Sequence, residues 1–199
     1  IEAVRTAQHS VPQVEVLLGM ECELVPEFKN YLKDELLGER QFDYLIGAGH
    51  YTPHNGEWLS SFTKLNCKPH LKSYTDHLCQ MMESKIFAFI AHPDIFGCTN
   101  LEWNADLIEC SREILITAEE TQTPLEINGN GLRKKYINSS DGPRPPYPWR
   151  PFWELAAEFK ITVVCNSDCH FPNEVVAGIS ENLELANTLG LELADLSYL

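Results

Sequence analysis

Five short apolar runs punctuate the sequence, and each ends in a residue that can bind a metal or a substrate. They are EVLLGMEC (15–22), FDYLIGAGH (42–50), KIFAFIAHP (85–93), PLEIN (124–128) and ITVVCNSD (161–168). Runs this short, apolar at successive positions, suit strands buried on both faces, as strands of a parallel sheet are. Between them lie segments of helical character, roughly Pro26 to Glu39, His70 to Ser84, Ala105 to Thr121, Pro151 to Lys160 and Ser180 to Leu189. This alternation predicts βαβ units, arranged either as an open doubly wound sheet or as a barrel.

The strand ends favour the barrel. Glu21, His50, His92, Asn128 and then Asp168 with His170 stand at the carboxyl ends of successive runs. A βα barrel builds its site from the ends of several strands, whereas an open sheet gathers its ligands at one switch point. The expected fold class is therefore α/β, a distorted βα (TIM-like) barrel with parallel strands. The chain has 199 residues, 44% of them hydrophobic, which suits one domain with a sizeable core. A complete βα barrel takes about 250 residues. IEAVRTAQHS (1–10) reads as the end of a helix, and the first residue is Ile1 rather than Met. The expectation is a single domain over 1–199, incomplete at its N-terminal side, with at least one strand ahead of it. An N-terminal segment or a dimer partner is then expected to cover the open edge.

Charge and cysteine usage narrow the function classes. Fifteen Lys and Arg against 29 Asp and Glu leave a net charge of −14, opposite in sign to a surface that tracks nucleic acid phosphates. An anionic small substrate stays compatible, because bound cations can make an acidic protein's pocket positive. No apolar run is long enough to cross a membrane, and no signal peptide opens the chain. The seven cysteines form no CxxC pair, which points to reduced thiols and a cytoplasmic protein. The acceptor-like Asn138-Ser139-Ser140 has no meaning without a secretory signal.

Glu21, His50, His92, Asp168 and His170 all fall at one edge of the predicted sheet. Burying so many polar groups without a shared partner would be costly, and imidazole nitrogen with carboxylate oxygen suits zinc, manganese or iron. If the last strand continues to His170, alternation places Asp168 and His170 on one face and Cys169 on the other. Cys22, Cys165 and Cys169 then read as packing residues. Asn128 shares its face with Glu126 and could orient a ligand or a substrate hydroxyl. His54 leaves substrate contact and solvent exposure equally open. His70 and His77, on an expected outer helix, read as structural or exposed, and His9 as a surface residue.

The ordered series GMECE, FDYLIGAGH, IAHPD, LEIN with GLRKKY, and NSDCH resembles the PHP (polymerase and histidinol phosphatase) superfamily. The loop Gly131-Leu132-Arg133-Lys134-Lys135 and Tyr147-Pro148 are most similar to its histidinol-phosphate phosphatase branch. The resemblance implies a distorted barrel with up to three divalent ions and hydrolysis of a small phosphorylated substrate, most closely L-histidinol phosphate. It implies that Glu21 bridges two ions, that His50 and His92 complete one site, that Asp168 binds another and that His170 binds the third. Asp168 and His170 are accordingly expected at the catalytic centre. Arg133, a fork suited to phosphate, is expected to contact substrate, against the alternative of a solvated basic run with Lys134 and Lys135; Arg144 and Arg150 are weaker candidates. The family's opening His-x-His finds no match in residues 1–20. A phosphoesterase for a nucleotide or a DNA end, and a degenerate non-catalytic metal-binding or interaction domain, stand as alternatives.

Overall fold

The computed structural model describes residues 1–140 and 142–199. Its strands are β1 (Gly19–Cys22), β2 (Tyr44–Gly47), β3 (Tyr51–His54), β4 (Glu57–Ser60), β5 (Phe89–Ile90), β6 (Leu125–Asn128), β7 (Ile137–Ser139), β8 (Gly142–Arg144), β9 (Thr162–Asn166) and β10 (Glu192–Leu193). The helices are α1 (Glu2–Ser10), α2 (Ser61–Lys64), α3 (Lys68–Ser84), α4 (Ala105–Thr121), α5 (Arg150–Ala156) and α6 (Ile179–Leu189).

Six strands form one parallel sheet in the order β1, β2, β5, β6, β9, β10. Each strand is laid beside the one before it, with no reversal of order. That progressive winding is the winding of a βα barrel, whereas a doubly wound sheet reverses at its switch point. Among the described residues no ladder joins β10 to β1, so the sheet has two edges.

Register fixes which side chains share a face. Glu21 lies beside Ile46, Ile46 beside Phe89, Glu126 beside Val164 and Asn128 beside Asn166. Because strand side chains alternate, Glu21, Glu126, Asn128 and Asn166 fall on one face of the sheet. The opposite face carries Leu45, Ile90, Leu125, Ile127 and Val163, which join Leu78, Met81, Ile114, Phe152 and Trp153 in a single core. Burying one side chain of this size is worth about 1.5–3 kcal/mol, so the apolar face holds the sheet while the polar face is left for chemistry.

Local signals account for most helix limits. Asn104 caps α4 by accepting from the Leu107 amide at 3.1 Å, and Pro69 opens α3 where no amide donor is needed. Gly190, at φ 69°, ends α6. The segment expected as one helix over 26–39 divides into a 3-10 turn, Pro26–Phe28, and a π-helical stretch, Tyr31–Glu39, closed by the Arg40 amide on the Glu35 carbonyl at 2.8 Å. Only Leu32 and Leu36 of that stretch are buried, so little packing holds it to α geometry.

Three further features differ from the sequence-based expectation. The strands are shorter than the apolar runs, and β10 adds a sixth. The segment after His50 folds into the hairpin β3/β4. The long Gly- and Pro-rich stretch from 128 to 150 contains the 3-10 turn Gly131–Arg133, the hairpin β7/β8 and the cis Tyr147-Pro148 bond. Two glycines let this stretch lie flat: a Cβ on Gly131 would stand 1.9 Å from the Tyr147 carbonyl oxygen, and one on Gly97 would stand 2.1 Å from that of Pro146.

Candidate metal centre

Glu21 reaches the centre from β1 itself. His50 lies just beyond β2, where the chain turns into the hairpin, and His92 lies just beyond β5 with φ 29°. A positive φ is strained for a side chain of this kind, and here the Glu126 carboxylate holds the turn by accepting from the His92 amide at 3.1 Å. Glu21 Oε1 stands 2.9 Å from His50 Nε2 and 3.4 Å from His92 Nε2, and the two nitrogens are 3.1 Å apart. Protons can bridge such a triangle only in part, whereas one cation satisfies all three atoms at once. For bonds of about 2.0–2.1 Å, the edges of a tetrahedral site measure about 3.3–3.4 Å. The observed edges are equal to that or slightly shorter, so the three residues fit a divalent cation such as zinc.

Charge is balanced tightly around the triangle. Burial alone would push the Glu21 carboxyl up, but His50 and His92 overcome it and hold the group well below the usual carboxylate range. Burial likewise opposes a charged His50, yet Glu21 and Glu23 outweigh it and raise that imidazole's pKa to about 9. Glu23 lies 3.3 Å from His50 Nδ1 and accepts the backbone amides of His50 at 2.7 Å and Tyr51 at 3.2 Å.

A cavity of about 370 Å³ opens on the triangle and is lined by Glu21, His50, His92, Asp168 and His170 together. All five expected ligands thus face one space, but not for the strand reason. β9 ends at Asn166, and Asp168 is turned inward by a left-handed φ of 47°. Asn128 and Asn130 donate to Asp168 Oδ2 at 3.0 and 3.1 Å, while Asp168 Oδ1 lies 3.4 Å from His170 Nε2. The His170 side chain is 64% exposed, the most open of the set.

None of the three residues expected at substrate lines this cavity, although Asn128 orients Asp168, one of the two roles expected of it. Arg133 does not line the cavity: Nη1 donates to the carbonyls of Gly129 (2.9 Å) and Ala177 (3.1 Å), and Nη2 to those of Ser167 and Asp168 (3.0 Å each). Its fork is consumed in tying the β6 loop to the β9 loop, and Lys134, one residue on, lines the cavity in its place. Asn128 is buried, its side-chain Oδ1 accepting from the Asn130 and Gly131 backbone amides and its Nδ2 donating to Glu126 and Asp168. His54 sits in the hairpin, bonded to Ser73 Oγ at 2.8 Å and edge-on to His70. Arg144 is likewise internal, bonded to four carbonyls and stacked on Trp149. Arg150, weighed with it, pairs with Glu154 at 2.7 Å.

Two acids escaped the sequence reading as site residues. Glu23 follows Glu21 by two, and Glu126 precedes Asn128 by two, so the period of a strand was the available signal. Glu126 is fully enclosed, and burial pushes its carboxyl above the ordinary range; Asn128 and Asn166 donate to it at 2.8 and 3.1 Å. His77, read as structural or exposed on an outer helix, is buried and so takes the structural place, while Cys169, read as a packing residue, is exposed.

A parallel sheet wound strand by strand, with carboxylate and imidazole donors gathered at the carboxyl ends of its strands, defines an α/β protein with barrel-like winding and a candidate site for a divalent cation. No protein-family model and no curated protein matches the sequence. Among solved structures, the chain is similar to the histidinol phosphate phosphatase of Lactococcus lactis subsp. lactis, determined with zinc, L-histidinol and phosphate. The TM-score is 0.69 at 14% identity, over 97% of this chain and 74% of that one. It is also similar to a candidate histidinol phosphatase, HisK, of Listeria monocytogenes, with TM-score 0.68 and 18% identity over 90% of this chain and 73% of that one. At these identities the likeness is one of fold.

Proposed function

We propose that the protein is a metal-dependent phosphatase of the PHP type that hydrolyses a small phosphate monoester, with L-histidinol phosphate as the substrate. The observation that carries the reading is the closed triangle of Glu21, His50 and His92 at the floor of a cavity that also receives Asp168, His170 and Lys134. The fold shared with a phosphatase solved with zinc, L-histidinol and phosphate supports it.

Glu21, His50 and His92 would hold a divalent cation, which would supply a Lewis acid for phosphate oxygens and lower the pKa of a bound water. Asp168 and His170 line the same cavity and would add donors for further cations. Lys134 meets the phosphate charge, and Phe62 and Tyr147 give the cavity an apolar side for the carbon portion of the ester. In the reaction the oxygen of water attacks phosphorus, the P–O ester bond breaks, and the leaving alkoxide takes a proton. The proton that the attacking water gives up balances the one that the alkoxide takes. We also propose a cytoplasmic location, which the seven free thiols support.

The test is phosphate release from L-histidinol phosphate, a nucleoside monophosphate and an aryl phosphate, each with added Zn²⁺ or Mn²⁺. Metal-dependent turnover with the highest kcat/KM on histidinol phosphate is expected. Binding of the cation with no release from any ester would favour a metal-binding domain without catalysis.

A further inference from the structure

Behind the metal-binding face of His50 lies a second pair of ionisable groups. Glu23 Oε1 faces His50 Nδ1 at 3.3 Å, and Glu23 Oε2 faces His77 Nε2 at 3.6 Å. Both of these last atoms are buried, and neither has a hydrogen-bond partner among the described residues. His77 is only 2% exposed. It lies on the inner face of α3 among Tyr74, Leu78 and Met81, at the spacing of an apolar stripe. An aliphatic side chain would satisfy that stripe, so an imidazole there calls for a polar reason. Among the described residues, Glu23 is the acid that faces it. Trp58 of β4 stands edge-on to the ring, with centroids 5.7 Å apart. One turn earlier on the same helix face, Tyr74 donates to the carbonyl of Pro93, the residue after His92, at 2.9 Å. α3 thus supports the neighbourhoods of both histidine ligands.

We propose that His77 and Glu23 form a buried relay that positions His50: His77 holds the Glu23 carboxylate, and that carboxylate accepts a hydrogen bond from the Nδ1–H of His50, so that Nε2 faces the cation. An outer carboxylate on a ligating imidazole fixes both its tautomer and its ring orientation. Here an imidazole borne by a helix extends that chain by one link, making His77 a positioning residue. The inference rests on the metal-centre reading above.

The experiment measures Zn²⁺ affinity by competition with a chromophoric chelator, on the full 199-residue chain and on Glu23→Gln, His77→Leu, His77→Gln and His50→Ala. Metal-free melting temperature is recorded beside each, as is the visible spectrum of the Co²⁺ form. Glu23→Gln and His77→Leu are expected to bind Zn²⁺ about 10–100-fold more weakly, the range for loss of an outer partner. His77→Gln, which keeps an N–H donor, should recover most of that affinity, with a Co²⁺ spectrum like the parent's. Wild-type affinity in His77→Leu, with affinity lost in His50→Ala, would overturn the relay and leave the metal centre standing. Equal losses in His77→Leu and His77→Gln that follow their melting temperatures would make His77 a packing residue and also overturn it. Unchanged affinity in His50→Ala would overturn the metal reading and the relay together.

Discussion

Metal binding at this centre should release a proton, and the dependence on pH should be steep. His50 lies between two carboxylates, 2.9 Å from Glu21 and 3.3 Å from Glu23, and in the metal-free protein its pKa is raised to about 9. A cation needs the neutral imidazole, so binding competes with that proton. With a pKa near 9, the neutral fraction is about one quarter at pH 8.5 and about 0.003 at pH 6.5, a ratio of about 75. An ordinary imidazole of pKa about 6.5 would change only about twofold over the same interval. Glu21, held well below the usual carboxylate range, stays ionised throughout and adds nothing to the slope. Zn²⁺ affinity should therefore weaken by nearly two orders of magnitude between pH 8.5 and 6.5. The assay is competition with a chelator whose own protonation is corrected for. Calorimetry in buffers of different ionisation enthalpy should count about one proton released per ion at pH 7.5. A twofold change with no proton release would show that His50 is not held as a cation between the two acids, and the electrostatic account of the centre would fail.

The same pair sets how stability varies with pH in the metal-free protein. The raised His50 pKa contributes stability that is fully present below about 6.5 and is lost as pH rises through about 9, whereas the lowered Glu21 pKa contributes stability present above about 4.5 and lost on acidification below it. Thermal melts across this range should fall above pH 7 in the parent and flatten on that side in Glu21→Gln. Lys134→Ala should lose about 1.5–3 kcal/mol in kcat/KM on a phosphate ester with metal content unchanged, whereas Arg133→Ala should show its first effect as a lower melting temperature, because its partners are four carbonyls. A melting temperature unmoved by Arg133→Ala would refute the tying role. Gly131→Ala should destabilise the protein by about 1–3 kcal/mol, since the added Cβ would meet the Tyr147 carbonyl oxygen at 1.9 Å; urea titration measures it.

The pattern of apolar runs alone determined an α/β chain of parallel strands and helices, because period and burial are local properties of a sequence. It also determined that Glu21, His50, His92, Asp168 and His170 belong at one end of the sheet, because the carboxyl ends of parallel strands share one edge. The limits of α4, expected over Ala105 to Thr121, were legible for a similar reason: its buried residues recur at helical spacing. What tertiary structure decided was the use of each polar group. Arg133 and Lys134 are adjacent cations in the sequence, and only the approach of the Gly129, Ser167, Asp168 and Ala177 carbonyls consumes one and leaves the other facing the cavity. Asp168 points inward through a left-handed turn held by Asn128 and Asn130, a conformation that strand alternation does not contain. Glu23 and His77 are 54 positions apart and meet because α3 packs beneath the loop of His50. Such partnerships between buried groups depend on distances across the fold, and no local period in the chain encodes them.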